Sequence, residues 1–322
     1  MIPARILGTG MALPERVVTT REIALAIGRD PDATEQRTGI ISRRWSEPGA
    51  RATDLATAAL REALARAALE PGALRRVIFV SSSSGDQLVP ANANVLLGAL
   101  GIAGTADGFD LNNACMGSMT ALDIAARSVA TGLGPVAVVA VEMGSRYIDP
   151  SEPRPYLIFG DAAAAVIVGP GRPDEGVLGV ALGNHGGLPE DIVVRHPSVT
   201  GKMERVQFLR RNEELLAIAI PAMLRAVAGL LERCALRIED IEWVLPHQPN
   251  GAMFDHLLSA LGVDRARTAQ VVHEIGSVPS VAIPASLHRL LSTRDVRPGH
   301  RILFVCVGTG LAHGAMLWRV GA

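Results

Sequence analysis

The sequence predicts an α/β fold made of two similar halves, and two observations lead to that prediction. Short apolar runs rich in β-branched residues alternate with longer segments of helical periodicity along the chain. Such alternation is typical of α/β layers with largely parallel sheets. The same plan recurs after the turn-rich segment 169–173, although no residue-level repeat accompanies it. We therefore predict an N-terminal half, residues 1–170, and a C-terminal half, residues 171–322.

The individual elements follow from the periodicity in chain order. In the first half we predict strands at 5–8, 76–81, 136–141 and 163–168, and helices opening at 19–22 and covering 52–68, 92–100 and 119–129. In the second half we predict strands at 177–182, 241–245, 302–307 and 314–320, and helices at 212–234, 253–261 and 281–291. Residues 191–206 are polar and irregular, which predicts a surface excursion.

Composition excludes several classes of function. The chain has 322 residues, of which 48% are hydrophobic, so it can bury a large core. The net charge of −1 and an aromatic content of 3% give no basic surface or stacking platform, and we expect no nucleic-acid or membrane partner. No uninterrupted apolar run approaches about 18 residues, and the first residues do not resemble a signal peptide. The three cysteines are widely spaced, which predicts a reducing cytoplasm and neither disulfides, metal nor cofactor.

Cys115 is the most informative residue of the chain. It follows a short apolar strand and a tight turn and precedes the helix predicted at 119–129. Backbone N–H groups and the positive end of a helix dipole favour a thiolate at such a place, and the thiolate is the nucleophile. The competing interpretation is a small buried core residue, as most free cysteines are.

A second chemical element is His247, directly after the strand predicted at 241–245. Functional groups of α/β folds tend to lie beyond the carboxyl ends of strands. A neutral imidazole there can take the proton of a nucleophile or pair with a thiolate. A loop histidine bonded to the backbone remains the alternative for this residue.

Glycines supply the third element. Gly308-Thr-Gly310 follows the strand predicted at 302–307, so its backbone N–H groups are free to face an oxyanion. A plain turn explains the same residues. Phe159-Gly-Asp161 is likewise open to interpretation as a strand-to-turn junction.

Together these motifs resemble one family. They are Arg37-Thr-Gly-Ile40, Asn113-Ala-Cys-Met-Gly117, Phe159-Gly-Asp161, Leu245-Pro-His-Gln-Pro-Asn250 and Gly308-Thr-Gly310, in that order. The set resembles the β-ketoacyl-acyl-carrier-protein synthase III family over essentially the whole chain. The resemblance implies a thiolase-like fold, a duplicated five-layered αβαβα architecture with mixed sheets, usually as a homodimer. It also implies an enzyme that loads an acyl group onto a cysteine and passes it to a second substrate.

The resemblance assigns roles to individual residues. Cys115 would be the acyl-accepting nucleophile and His247 the catalytic histidine. Thr309 would line the oxyanion hole together with the backbone N–H of Cys115. Three further positions would contact substrate, and these are Arg37, Val89 and Asn250. Val89 precedes Pro90 at a position that crosses the dimer interface in the family, and its small side chain would admit acyl chains longer than acetyl.

Departures from the family pattern narrow the range of reactions that we expect. Counting back from Pro284, Ser277 stands where the family has a catalytic asparagine. In the family, that asparagine and the histidine bind a malonyl thioester while carbon dioxide leaves. Losing one such donor typically costs ~10²–10³ in rate. Ala33, Ala252 and Leu216 replace residues that the family uses for coenzyme A or carrier docking, so we do not expect the family's usual contacts to coenzyme A, and the carrier of the donor stays open.

We therefore expect a ketosynthase III-like acyltransferase of polyketide- or fatty-acid-derived secondary metabolism. Its donor would be an acyl thioester of an acyl carrier protein or coenzyme A. Its acceptor would be a second small-molecule or carrier-bound substrate, with C–C condensation onto a β-keto or related thioester, without malonyl decarboxylation, as the leading reaction. Ester or amide formation is the alternative. A non-catalytic partner subunit is the alternative of another class, and retention of both Cys115 and His247 argues against it.

Overall fold

The structure is a computed structural model that describes residues 1–188 and 191–321. Its strands are β1 (Ile2–Pro3), β2 (Arg5–Ala12), β3 (Val17–Thr19), β4 (Ser42–Arg44), β5 (Arg76–Val80), β6 (Asp107–Leu111), β7 (Val136–Met143), β8 (Asp161–Gly169), β9 (Gly176–Leu188), β10 (Ile192–Val193), β11 (Gln207–Phe208), β12 (Trp243–Pro246), β13 (Arg301–Gly308) and β14 (Gly310–Arg319). Its α-helices are α1 (Thr20–Ala26), α2 (Pro31–Thr38), α3 (Ala52–Arg66), α4 (Asn92–Ala99), α5 (Gly117–Ala130), α6 (Pro153–Tyr156), α7 (Pro197–Thr200), α8 (Asn212–Arg233), α9 (Gly251–Leu261), α10 (Val272–Ile275) and α11 (Ala282–Thr293).

Two five-stranded sheets organise the chain. The N-terminal sheet has the strand order β2-β8-β7-β5-β6, and the C-terminal sheet has the order β1-β9-β14-β13-β12. Every strand of the first sheet precedes β9. The second sheet also takes in β1, which pairs antiparallel with β9. The division at residue 170 stays a prediction, since the first residues of the chain belong to the second sheet.

Helices cover both faces of each sheet, which gives five layers. Helices α5 and α11 fill the central layer between the two sheets, where their buried residues share one apolar cluster with both. Helices α3 and α4 cover the outer face of the N-terminal sheet, and α8 and α9 cover that of the C-terminal sheet. Because β7 and β8 are buried along their whole lengths, they read as continuous apolar runs rather than alternating ones. The five-layered αβαβα architecture is confirmed.

The expectation of largely parallel sheets is wrong. Strands β5, β6 and β7 run parallel to one another, as do β12 and β13. All other pairs within the two sheets are antiparallel. The reason lies in the connections: β13 and β14 are joined through Thr309 alone, and strands joined by so short a turn must run in opposite directions. The mixed sheets implied by the family resemblance are the ones observed.

Most predicted elements lie within one to a few residues of those observed. Thr19 caps α1 as expected, since its side chain accepts a hydrogen bond from the backbone N–H of Glu22 at 3.1 Å. The segment predicted as an irregular excursion contains the short elements β10 and α7, and β11 directly follows it. Strands β10 and β11 pair with each other and not with either main sheet.

Helix α8 is long and apolar enough to cross a membrane by length and composition alone. Uninterrupted apolar runs in the sequence do not indicate this, because isolated charged residues divide the segment. In the structure, Met223, Val227 and Leu230 of α8 pack in the apolar cluster that covers the C-terminal sheet. Of its most apolar window, 33% is buried inside the structure, so this packing accounts for part of the apolar composition.

A buried arginine holds together the junction between the two halves. Arg43 is fully buried and donates to the carbonyl oxygen of Leu157 at 2.6 Å and to the hydroxyl of Thr20 at 3.1 Å. Burial lowers the pKa of its guanidinium to about 10. Its Cβ lies against Gly160 and Gly276, so residues from both halves meet over this side chain.

Gly160 allows the closest approach at this junction, which gives a test of the packing. A Cβ at Gly160 would lie 2.1 Å from the carbonyl oxygen of Ile275, a backbone atom that cannot rotate away. We expect Gly160→Ala to lower the free energy of unfolding by about 1–3 kcal/mol in urea titrations. Gly98→Ala is the control, because a Cβ at position 98 would meet nothing within 4 Å and alanine favours a helix. Equal stability of both variants would contradict this account.

Candidate active site

Cys115 lies in a tight turn between a strand and a helix, as the sequence predicts. Strand β6 ends at Leu111, and a 3-10 turn, Ala114–Met116, leads directly into α5. The side chain of Asn112 accepts a hydrogen bond from the backbone N–H of Ala114 at 3.0 Å, which fixes the turn. Two residues after Met116, the hydroxyl of Ser118 donates to the backbone carbonyl of Ser280. The start of α5 is thereby tied to the C-terminal half.

The turn between β13 and β14 approaches Cys115 closely. A Cβ placed on Gly308 would lie 3.0 Å from the Cβ of Cys115 and 3.4 Å from its backbone nitrogen. A side chain at position 308 would therefore push the turn away from the sulfur. Backbone groups of Thr309 and of Cys115 itself hydrogen-bond to the thiol. Two backbone donors thus lie beside the sulfur. In an oxyanion hole, donors placed in this way face the oxygen of the carbonyl that the sulfur attacks.

The charge state of the thiol differs from the expectation drawn from its helix position. Burial raises the pKa of Cys115 to about 12, and the nearby charge of Glu142 adds to the rise. The hydrogen bonds from Thr309 and from the cysteine's own backbone lower the pKa but do not outweigh burial. The start of the helix therefore does not by itself produce a thiolate, and the attacking sulfur needs a proton acceptor.

His247 lies at the carboxyl end of β12. Its backbone N–H donates to the carbonyl oxygen of Val305 at 2.7 Å, which continues the parallel pairing of β12 with β13. The residue is 2% exposed, and its Nδ1 is buried without a hydrogen-bond partner among the residues that the structure describes. Burial lowers the pKa of the imidazole to about 4, so the ring is neutral at pH 7. The structure thus brings the histidine and the Gly308 turn to the same end of one sheet.

Ser277 is held by its backbone on both sides. Its N–H donates to the carbonyl of Ile158 at 2.7 Å, and its carbonyl accepts from Gly160 at 3.0 Å. The residue is buried. A β-bridge between Ser277 and Phe159 pairs the residue with the Phe159-Gly-Asp161 motif. The backbone position of this residue is fixed, so only its side chain determines what it can reach.

The three predicted substrate contacts lie in different settings. Arg37 is exposed on the last turn of α2. Asn250 caps α9, and its side-chain oxygen accepts from the backbone N–H of Met253 at 2.8 Å. Gly39 caps the end of α2. A Cβ placed on Gly251 would lie 2.6 Å from the Cα of Gly39, so the end of α2 and the start of α9 lie against each other. Val89 lies apart from them and is 85% exposed.

Two pockets lie near these positions. One, of about 330 Å³, is lined by residues around the end of α2, namely Asp32, Glu35, Gln36, Gly39, Ile41 and His273. The other, of about 160 Å³, lies at the carboxyl ends of β5 and β6 and is lined by Phe79, Ser81, Ser84, Gln87, Leu88, Asp110, Leu111 and Asn112. The last of these lining residues precedes Cys115 by three positions in the chain.

Sequence reasoning missed two carboxylates near the sulfur. Glu142 is buried in β7, accepts hydrogen bonds from both the N–H and the hydroxyl of Ser82 and of Ser280, and has a raised pKa because of burial. A single charged residue in an otherwise apolar strand was the available signal for it. Asp191 is 1% exposed and bonds to the hydroxyl of Thr309 at 2.6 Å. No local pattern around Asp191 indicated this contact.

The buried thiol of Cys306 is a further neighbour. Its sulfur lies 3.3 Å from the backbone carbonyl oxygen of Cys115, to which it donates. Its pKa is raised well above the ordinary value by burial. Cys306 therefore stays protonated and serves as a donor that helps to fix the backbone of Cys115.

The comparison with family profiles agrees with this geometry. The profile described as "3-Oxoacyl-[acyl-carrier-protein (ACP)] synthase III" matches residues 109–186, and its C-terminal counterpart matches residues 231–320. The first match contains Cys115, and the second contains His247 and Thr309. The chain belongs to the 3-oxoacyl-[acyl-carrier-protein] synthase III family, and it is a β-ketoacyl synthase III-like transferase.

Individual relatives match nearly the whole chain. The acetoacetyl CoA synthase NphT7 of Streptomyces sp. (strain CL190) is 32% identical over 317 residues, which cover 96% of each chain. The crystal structure of 3-oxoacyl-[acyl-carrier-protein] synthase III from Aquifex aeolicus VF5 superposes with a TM-score of 0.90 at 27% identity, covering 98% of this chain and 99% of that one. The priming β-ketosynthase of the R1128 polyketide pathway gives a TM-score of 0.86 at 29% identity over 99% and 96% of the two chains. The thiolase-like fold is thereby confirmed.

The low pKa of His247 predicts a loss of stability in acid. An unfolded histidine takes up its proton near pH 6.5, whereas the buried ring stays neutral until about pH 4. The contribution of neutral His247 to the free energy of unfolding is therefore complete above pH 6.5. It is lost as the pH falls towards 4, by about 3 kcal/mol in all. We expect urea unfolding from pH 7 to pH 4 to show a shallower loss for His247→Asn than for the wild type. Identical pH slopes for the two proteins would refute the assignment.

Proposed function

We propose that the protein loads an acyl group from a thioester onto Cys115 and transfers it to a second substrate without malonyl decarboxylation. The acceptor is a β-keto or related thioester, and the product is a C–C coupled chain of polyketide- or fatty-acid-derived secondary metabolism. The observation that carries this proposal is the pair of backbone donors at the Cys115 sulfur. A buried imidazole at the same end of the C-terminal sheet adds support.

Acyl loading follows from the residues around the sulfur. The sulfur of Cys115 attacks the thioester carbonyl carbon while His247 takes the thiol proton. The carbonyl oxygen becomes an oxyanion held by the backbone N–H groups of Thr309 and Cys115. The bond to the donor sulfur then breaks, and the departing thiolate receives the proton from the imidazolium. The acyl group is left on Cys115.

The second step uses the same groups in reverse. A β-keto thioester has an acidic α-carbon, from which neutral His247 removes a proton. The resulting enolate carbon attacks the acyl carbonyl, a C–C bond forms, and the Cys115 sulfur leaves and regains a proton from the imidazolium. Because the carbanion arises by proton loss, the step needs no malonyl group.

Burial favours a thiolate and an imidazolium formed together, by proton transfer from Cys115 to His247, over either charge formed alone. The pKa values of Cys115 and His247 are shifted to about 12 and about 4, and each shift disfavours the charged form. A thiolate and an imidazolium formed together are neutral overall, and each offsets the desolvation cost of the other. We therefore expect the charges to form during attack and not in the resting enzyme.

Substrate recognition is assigned to the remaining predicted residues. Arg37 and Asn250 lie on elements that contact each other, and we propose that they border the entrance for an acyl-carrier-protein or coenzyme A thioester. Leu88 and Val89 are 63% and 85% exposed. Two adjacent apolar side chains at such exposure support a homodimer in which a second copy covers them. We propose a cytoplasmic location because the thiol must stay reduced.

The names of two relatives bear on the choice between C–C bond formation and ester or amide formation. One is an acetoacetyl CoA synthase and another a priming β-ketosynthase of a polyketide pathway, and both names describe ketone-forming synthases. They support C–C bond formation over ester or amide formation. A non-catalytic partner subunit would need neither the buried imidazole nor the donors at the sulfur.

Intact-protein mass spectrometry tests the loading step. Incubation with a panel of acyl N-acetylcysteamine and coenzyme A thioesters should add one acyl mass to the wild type. Cys115→Ala should gain none, and Cys234→Ala, which removes a distant half-buried thiol, should load normally. Subsequent addition of a β-keto thioester should discharge the adduct and release a coupled product. Discharge only by alcohols or amines would replace condensation with ester or amide formation, and no adduct across the panel would favour the partner subunit.

The role of Ser277 gives a second test. We expect little carbon dioxide from malonyl carrier protein with the wild type, because the serine arm is shorter than asparagine and supplies no amide donor. Ser277→Asn should raise the release of carbon dioxide by ~10²-fold. Ser277→Ala should leave the rate of release at the wild-type level. Rapid release of carbon dioxide by the wild type would disprove the non-decarboxylative reaction.

A further inference from the structure

Asp191 is a buried carboxylate that the acyl-transfer steps do not use. It follows β9 at the start of the excursion and is 1% exposed. Its Oδ1 accepts the hydroxyl of Thr309 at 2.6 Å and the backbone N–H of Gly310 at 3.1 Å. The same oxygen accepts the N–H of Ile192 at 2.9 Å. One carboxylate oxygen therefore collects three donors, two of which belong to the turn between β13 and β14.

This turn is the one that presents a backbone donor to Cys115. The Thr309 hydroxyl also lies 2.9 Å from the carbonyl oxygen of Ile192, so its side chain is held from two sides by the excursion. The ladder between β14 and β9 shifts register between Gly310 and Ala312, so regular sheet pairing does not fix the turn. Contacts with Asp191 act in place of that pairing.

We propose that Asp191 is a positioning residue of the oxyanion hole, which holds the Thr309 backbone N–H against the Cys115 sulfur by anchoring the Thr309 hydroxyl and the Gly310 N–H. This inference rests on the proposed function, since it assigns the excursion a part in acyl loading. Stabilisation of an oxyanion requires donors placed to within about 0.5 Å, which a short turn secures only through such side-chain anchors.

The charge of Asp191 acts against the reaction that its geometry supports. A negative carboxylate near the sulfur disfavours a thiolate and an oxyanion, and it contributes to the raised pKa of Cys115. A residue selected for its charge would be positive here. The benefit of Asp191 must therefore come from the hydrogen bonds that it accepts, and an uncharged acceptor of the same shape should serve equally well.

Four variants separate anchoring from charge. Asp191→Asn keeps an oxygen acceptor, and we expect acylation within about threefold of the wild-type rate. Asp191→Ala removes the anchor and should slow single-turnover acylation of Cys115 by ~10²-fold, with less than about twofold change in thioester affinity. Thr309→Val, which keeps the backbone N–H and loses only the hydroxyl, should also slow acylation, whereas Thr309→Ser should restore it. The probe is an octanoyl N-acetylcysteamine thioester, with the acetyl homologue alongside.

Hydrogen exchange supplies a readout that does not depend on activity. We expect faster amide exchange in the peptide spanning residues 303–315 for Asp191→Ala and Thr309→Val, and wild-type exchange for Asp191→Asn. Unchanged exchange in both anchor-breaking variants would overturn the inference, as would Asp191→Asn losing as much activity as Asp191→Ala. Failure of the wild type to acylate, with the exchange pattern as expected, would count against the proposed function and leave the anchor supported.

Discussion

The contact between Gly308 and Cys115 is the constraint on which the site depends. The cysteine comes from the N-terminal sheet and its helix, whereas the turn and His247 come from the C-terminal sheet. Cys115 and the turn lie against each other where α5 and α11 share the central layer, and there the Ser118 hydroxyl bonds to Ser280 across the two halves. Close packing of this layer therefore sets the distance between the sulfur and its backbone donors. The packing that stabilises the protein therefore also fixes the geometry of the site.

Desolvation explains the kind of groups that surround the sulfur. Burial raises the pKa of Cys115 and Glu142 and lowers that of His247, so it disfavours the charged form of each group. In such surroundings fixed backbone dipoles stabilise a transient charge without carrying one at rest. This is a physical reason for glycines and a tight turn at the sulfur, where a lysine or arginine would have to be buried.

Much of the fold could be predicted because periodicity is local. Buried strands such as β7 and β8 are continuous apolar runs, and the helices show their periodic faces. Cys115 and His247 could be singled out because Cys115 lies in a tight turn between a strand and a helix, and His247 directly follows a strand. Strand direction could not, since it depends on the length of connections such as the one at Thr309. Asp191 was missed because its partner lies 118 residues away and nothing near it is periodic.

Ser277 is the position at which we propose that the chemistry changes while the fold does not. Its backbone is fixed by Ile158 and Gly160, so a different side chain at this position alters reach and donor type without moving the chain. The fold itself is shared at a TM-score of 0.90 with a structure that is only 27% identical. The fold therefore constrains where the carbonyl group of a substrate lies. Single side chains around that carbonyl group decide which carbanion can form. For this chain, we propose that the deciding side chain is that of Ser277, which carries a hydroxyl and no amide donor.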